Sequence, residues 1–217
     1  MENTNIIYLF PILAGLSTLL GIIPTYLKIN SNRIINYSLK LTIGILFIVS
    51  IFSLIPESFH YLNKNNFESI ILVFLFVSIG IILNMLINKA IDSNNHLYKI
   101  GILSMIAISL HNIPEGIITV ITSSTNIKLG LTTTLAIMLH NIPEGISIAV
   151  PIYYSTNSHK KAFFYTAISG FSELFGVLIS LIFLKNNISN FQLAFILGMT
   201  AGIMLYLIFS LITKKED

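Results

Sequence analysis

Seven stretches of this chain are apolar for long enough to cross a bilayer, and together they occupy most of its 217 residues. They run over residues 6–27, 41–59, 70–87, 100–122, 130–154, 162–184 and 191–213. A span takes roughly 17–25 residues of helix, because lipid offers backbone N–H and C=O groups no partner. Short polar connections rich in Asn, Ser and Lys separate the stretches and leave no room for a soluble domain. The expected fold is an all-α membrane protein, a seven-helix polytopic bundle forming one transmembrane domain over residues 1–217. Composition agrees: 54% of residues are hydrophobic and 10% charged, against about 25% charged in a soluble domain. So few charges cannot coat a globule of this size. A soluble enzyme, a nucleic-acid binder and a disordered tail are therefore excluded.

Residues 1–5 carry Glu2 and no cation, and the first span is long enough to remain in the bilayer rather than be cleaved as a signal peptide. With the N-terminus outside, the inner segments hold Lys28, Arg33, Lys40, Lys89, Lys99, Lys160, Lys161, Lys214 and Lys215. The outer segments hold Lys64, Lys128 and Lys185. The excess of cations inside is the expected bias, and the reverse orientation inverts it. Loop cations thus explain the net charge of +3 without an anionic partner. All twelve Gly and all six Pro fall in or at the ends of the spans, where small residues let helices approach closely. Gly198 and Gly202 form a GxxxG pair, read as internal packing rather than a dimer contact.

Most ionisable groups lie in loops. The exceptions are His111, Glu115, His140, Glu144 and Glu173, with Glu57 at a span end and no Lys or Arg within a span. A charged group at mid-membrane costs a few kcal/mol, so such residues mark ion or substrate paths. Three Glu without an internal cation cannot pair with one another. They must be protonated, reached by water, or neutralised by a cation from outside.

Two of them belong to a repeat. His111-Asn112-Ile113-Pro114-Glu115-Gly116-Ile117 recurs as His140-Asn141-Ile142-Pro143-Glu144-Gly145-Ile146, an offset of 29 from 111 to 140. That offset accommodates the end of one helix, a turn and the start of the next, so the motifs are expected to face each other at similar depth on antiparallel neighbours. His and Glu at i, i+4 lie one turn apart on one face, and Asn at i+1 shares much of it. Pro114 and Pro143 each lack an N–H and push away the carbonyl four residues back, which opens the helix there. The two faces supply two imidazoles, two carboxylates and two amide oxygens. With no cysteine in the chain, any metal must use N and O ligands, and this set suits a borderline divalent ion such as zinc better than sodium or calcium. Glu173 adds a third carboxylate, and two divalent ions are neutralised more readily by three Glu than by two. Glu57 and His60 are read as a solvated helix end, with metal capture at the mouth as the other reading. His96 and His159 are read as surface residues of inner loops.

At the repeated motif the sequence resembles the ZIP family of divalent-metal transporters, in its short-looped prokaryotic branch. The resemblance extends to Ala14-Gly15, Leu54-Ile55-Pro56-Glu57, Ser169-Gly170 with Glu173, and Ala201-Gly202-Ile203-Met204. It implies import of zinc, iron(II), manganese or cadmium into the cytoplasm across the plasma membrane of a prokaryote, often by a homodimer, with no catalytic cofactor. By position, one ion would use His111, Glu115, His140 and Glu144. A second would use Asn112, Asn141 and Glu173, with Glu115 and Glu144 bridging. The family normally has eight spans where seven are read here. The Glu-Leu-Leu-Pro-like end of its seventh span is replaced by Phe209-Ser210-Leu211-Ile212-Thr213, and the inner loop 88–99 carries one His where many relatives have a run. A Met that some members place in the second span is aliphatic here, near Ile45-Leu46.

An intramembrane metalloenzyme would need a coordination position held by water and a general base that is not a ligand. The chain has no HExxH pattern and no Ser or Cys nucleophile with partners, so no catalytic residue is assigned. A metal-selective channel would use the same ligands, and the residues leave channel and carrier open.

Overall fold

Helix is the regular structure of the described residues, which in this computed structural model are 2–27, 31–62, 67–91, 93–183 and 189–213. Helix α1 (Glu2–Thr18) continues as a 3-10 segment, Leu19–Tyr26. Helix α2 (Ser31–Val49) passes through a π-turn, Ser50–Leu54, into α3 (Ile55–Leu62). Then follow α4 (Phe67–Ala90), α5 (His96–Thr125), α6 (Ile127–Thr156), α7 (His159–Phe183) and α8 (Asn190–Thr213). Among the described residues, seven stretches are long and apolar enough to cross a membrane: Ile7–Tyr26, Asn32–Leu62, Phe67–Ala90, His96–Thr125, Ile127–Thr156, His159–Ile182 and Asn190–Thr213. The chain is an all-α, multi-pass membrane protein. Its helices expose large apolar side chains such as Phe52, Phe74 and Leu139 while burying Asn84, His111, Asn112 and Glu144, the reverse of a soluble fold.

Six spans match the expected ones to within about four residues. The second helix is longer than the expected span, starting at Ser31 rather than near Leu41. Ile34, Ser38 and Thr42 are buried while Arg33, Tyr37 and Lys40 are exposed, so the first turns are amphipathic and hydropathy alone misses them. At about 1.5 Å per residue the stretch Asn32–Leu62 is roughly 46 Å long, well beyond an apolar slab of about 30 Å. The π-turn has a local cause. Pro56 has no N–H to give Phe52, and the Ile55 N–H bonds five residues back to Ser50 O. Met1, Lys28, Lys64, Leu184, Lys185, Lys214 and Lys215, on which part of the span and orientation reading rests, lie outside the described residues.

The chain divides into two units. One comprises residues 43–93 and 187–217. In it α4 packs on α8 through glycines: a Cβ on Gly80 would run into Met199 O, and one on Gly202 into Val77 O. Asn84 Nδ2 donates to Ile203 O at 2.8 Å, and Ser58 Oγ to Ala194 O at 2.7 Å. Gly198 faces Phe76 and Ser58, so the Gly198–Gly202 pair packs internally.

The other unit, residues 1–42 and 94–186, holds α1, the 3-10 segment, α5, α6 and α7. Ile108, Ile148, Ala149, Ile152 and Ala162 form an apolar cluster within it. His159 is not the free surface residue expected. Its ring stacks between Tyr26, at 4.0 Å, and Tyr153, at 4.3 Å, and its Nδ1 is hydrogen-bonded to Thr25 Oγ1.

Candidate metal centre

A single residue, Asn126, joins α5 to α6. Its N–H donates to Thr122 O, which closes α5, and its Oδ1 accepts from the N–H groups of Lys128 and Leu129 at 2.9 and 3.3 Å, which opens α6. From this turn His111 lies 15 residues back and His140 lies 14 forward. At about 1.5 Å per residue the two imidazoles are level on the antiparallel pair, roughly 21–22 Å from the turn. Glu115 then stands one turn nearer Asn126, and Glu144 one turn farther.

The side chains meet across this hairpin. His140 Nε2 and Glu115 Oε1 are hydrogen-bonded at 2.7 Å. His111 Nε2 lies 3.0 Å from the same oxygen but off hydrogen-bond geometry, and 3.7 Å from Glu144 Oε1. One atom each from His111, Glu115 and His140 lies within 4.8 Å of the others, close enough to share an ion. Glu144 borders this group through His111 rather than joining it. His111, Glu115 and Glu144 are almost wholly buried, whereas the His140 side chain is 23% exposed. Both oxygens of Glu144, Oε2 of Glu115 and both His111 nitrogens are buried without a hydrogen bond among the described residues. Buried polar atoms normally have partners, so this concentration of unpartnered donors and acceptors makes the cluster the candidate ligand site.

The two Asn are held from outside the hairpin. Asn112 Nδ2 donates to Ser169 O of α7 and Asn141 Nδ2 to Ala14 O of α1, each at 3.0 Å. Asn141 Nδ2 also reaches Glu173 Oε2 at 3.2 Å. Donation to carbonyls fixes each amide plane and leaves Oδ1 of both Asn, together with Glu173 Oε1, buried and unbonded. Glu173 lies within electrostatic range of Glu115 and Glu144. The Gly after each repeated Glu makes room: a Cβ on Gly116 would strike Glu173 O of α7, and one on Gly145 would strike Thr18 O of α1. Gly15 and Gly170 face each other in the same manner.

Of the expected ligands, His111, Glu115 and His140 are drawn together, Glu144 lies at their edge, and Asn141 meets Glu173, while Asn112 is bonded to Ser169. Glu57 and His60 belong to the other unit, and His96 is exposed at the start of α5. The reading from sequence missed the carbonyls of Ala14 and Ser169. The shared pattern Ala14-Gly15-x-Ser17 and Ser169-Gly170-x-Ser172 was their available signal.

The profile of the family described as ZIP Zinc transporter matches residues 92–212. The zinc transporter ZupT of Akkermansia muciniphila is 32% identical over 235 residues, covering 96% of this chain and 86% of the relative. ZupT of Campylobacter jejuni is 32% identical over 249 residues, with 95% and 85% coverage. ZupT of Streptococcus mutans is 34% identical over 220 residues, with 92% and 83% coverage.

Proposed function

This chain belongs to the ZIP zinc transporter family, and from that premise we propose that it carries divalent metal cations, zinc foremost, through the bacterial inner membrane into the cytoplasm. The observation that carries the reading is the meeting of His111, Glu115 and His140 at one point between two membrane helices. Zinc bonds of about 2.0–2.1 Å in a tetrahedron set neighbouring ligand atoms roughly 3.3 Å apart. The spacing here runs from 2.7 Å to at most 4.8 Å, which brackets that value. Ligation then asks for side-chain rotation, not for rearranged helices. Glu144, 3.7 Å from His111, completes the set by a similar rotation. Iron(II), manganese and cadmium fall within the same donor chemistry.

A second ion is assigned to Asn112, Asn141 and Glu173, with Glu115 and Glu144 bridging. The fixed amides support this, because they turn their oxygens away from the helix carbonyls that anchor them. Ligands must shed protons to bind, so metal entry is coupled to proton release. Carboxylates shared between two ions hold each less tightly than dedicated ones, which favours departure as well as entry.

The test is uptake of labelled zinc by proteoliposomes containing the full chain. Saturable uptake is expected, and Glu115→Ala and Glu144→Ala should abolish it. Zinc retained by the protein while vesicle uptake equals that of empty liposomes would overturn the transport reading.

A further inference from the structure

The two helices that brace the hairpin match residue for residue, and the match singles out a side chain that the metal assignment leaves unused. Ala14-Gly15-Leu16-Ser17-Thr18 on α1 corresponds to Ser169-Gly170-Phe171-Ser172-Glu173 on α7. Ser17 Oγ donates to Ala14 O and Ser172 Oγ to Ser169 O, both at 2.6 Å. Each of those carbonyls also accepts from one repeated Asn, at 3.0 Å. A Cβ built on Gly15 would lie 3.4 Å from Glu173 Cβ, and one on Gly170 would lie 3.3 Å from Thr18 Cβ. A Cβ on Gly116 would meet Glu173 O, and one on Gly145 would meet Thr18 O. Thr18 therefore stands to the second repeat as Glu173 stands to the first.

The Thr18 hydroxyl is fully buried and has no hydrogen-bond partner among the described residues. A helical threonine ordinarily donates to the carbonyl four residues back, as Thr42, Thr119, Thr134, Thr166 and Thr200 do. For Thr18 that acceptor is Ala14 O, which already receives Ser17 and Asn141. The backbone leaves α-helix for 3-10 geometry at this residue, and the side chain makes no capping bond either. Across the local twofold, Glu173 Oε2 takes a bond from Asn141. The corresponding amide, Asn112, keeps a buried and unbonded Oδ1.

We propose that Thr18 is a specificity-determining residue of the metal centre: its hydroxyl serves as a neutral oxygen ligand on the Asn112 side, where the local twofold would place a fourth carboxylate. The proposal rests on the metal-transport reading. A hydroxyl is a hard, weak donor; it favours oxygen-seeking ions such as manganese, and it adds no charge that would hold an ion in place.

The test exploits the absence of cysteine from the chain. Thr18→Cys changes the donor from hard to soft at nearly constant volume, and the new thiol is unique. Cadmium uptake relative to manganese should rise roughly tenfold or more, and the purified variant should show an ultraviolet thiolate-to-cadmium charge-transfer band. Thr18→Ser should keep the wild-type ratio, while Thr18→Val should lower manganese uptake relative to zinc. A folded Thr18→Cys with no such band and an unchanged cadmium-to-manganese ratio would overturn the proposal, provided that the wild type transports and Glu115→Ala does not. If Thr18→Cys does not fold, equal manganese-to-zinc ratios in Thr18→Ser and Thr18→Val overturn it instead. A wild type that carries no metal at all is the separate failure of the transport reading.

Discussion

Gly176→Ala tests whether glycine contacts, rather than the ligands alone, set the metal centre. A Cβ at this position would run into the Ile113 carbonyl oxygen of α5 and stand 3.0 Å from Gly116 Cα. Restoring separations of about 3.5 Å requires α7 to withdraw from α5 by roughly 1.4 Å. That movement acts directly on the site, because Glu173 lies one turn before Gly176 and Ser169, which anchors Asn112, lies two turns before it. Overpacking of this kind costs about 1–3 kcal/mol in stability. Zinc affinity should fall about tenfold for each 1.4 kcal/mol by which the displaced ligands weaken, although position 176 touches no ion. Gly44 is the control: nothing lies within 4 Å of a Cβ built there. Gly44→Ala should therefore stabilise α2 by roughly 0.5–1 kcal/mol through helix propensity alone. The assay is thermal unfolding in detergent with and without zinc, alongside retention of labelled zinc by the purified protein. Gly176→Ala with wild-type melting temperature and wild-type zinc affinity would refute the argument.

Two other outcomes follow from the same geometry. Asn126→Ala removes the side chain that caps α6 and should destabilise the protein by about 0.5–2 kcal/mol, read as a lowered melting temperature; an unchanged one would mean that the turn is held otherwise. Zinc affinity should fall with pH as protons compete for His111, His140 and Glu115, by about tenfold per pH unit for each proton displaced. A zinc titration flat between pH 7 and roughly pH 5.5, a range that spans the usual imidazole pKa, would remove the histidines from the ligand set.

The number of spans was legible because lipid imposes a long, unbroken apolar run. The start of α2 was not, since its early turns bury Ile34, Ser38 and Thr42 but expose Arg33, Tyr37 and Lys40, which interrupt the apolar run. The hairpin was legible in the offset of 29 (111 to 140), which fits a helix end, a turn and a helix start; that Asn126 alone makes the turn was not. The anchors of Asn112 and Asn141 could not be read in this way. They are backbone carbonyls, present at every residue, and only packing decides which ones remain free. Glycine positions were visible in the sequence, but the partner of each was not: Gly116 meets Glu173 and Gly145 meets Thr18 only because α7 and α1 lie across the hairpin.

That bracing pair also bears on why the centre is symmetric in backbone yet asymmetric in charge. On the two-ion assignment, Glu115, Glu144 and Glu173 offer three negative charges against four positive ones. A carboxylate at position 18 would complete the symmetry and neutralise the pair. It would also deepen the well from which each ion must escape, and passage through a membrane requires a site that is entered readily and left readily. A threonine at that position supplies an oxygen without the charge. Thr18→Glu is therefore expected to bind zinc more tightly and release it more slowly, lowering the turnover of uptake at saturating zinc while KM falls. An unchanged KM with slower turnover would point to a packing defect at the α1–α6 contact and count against this electrostatic account.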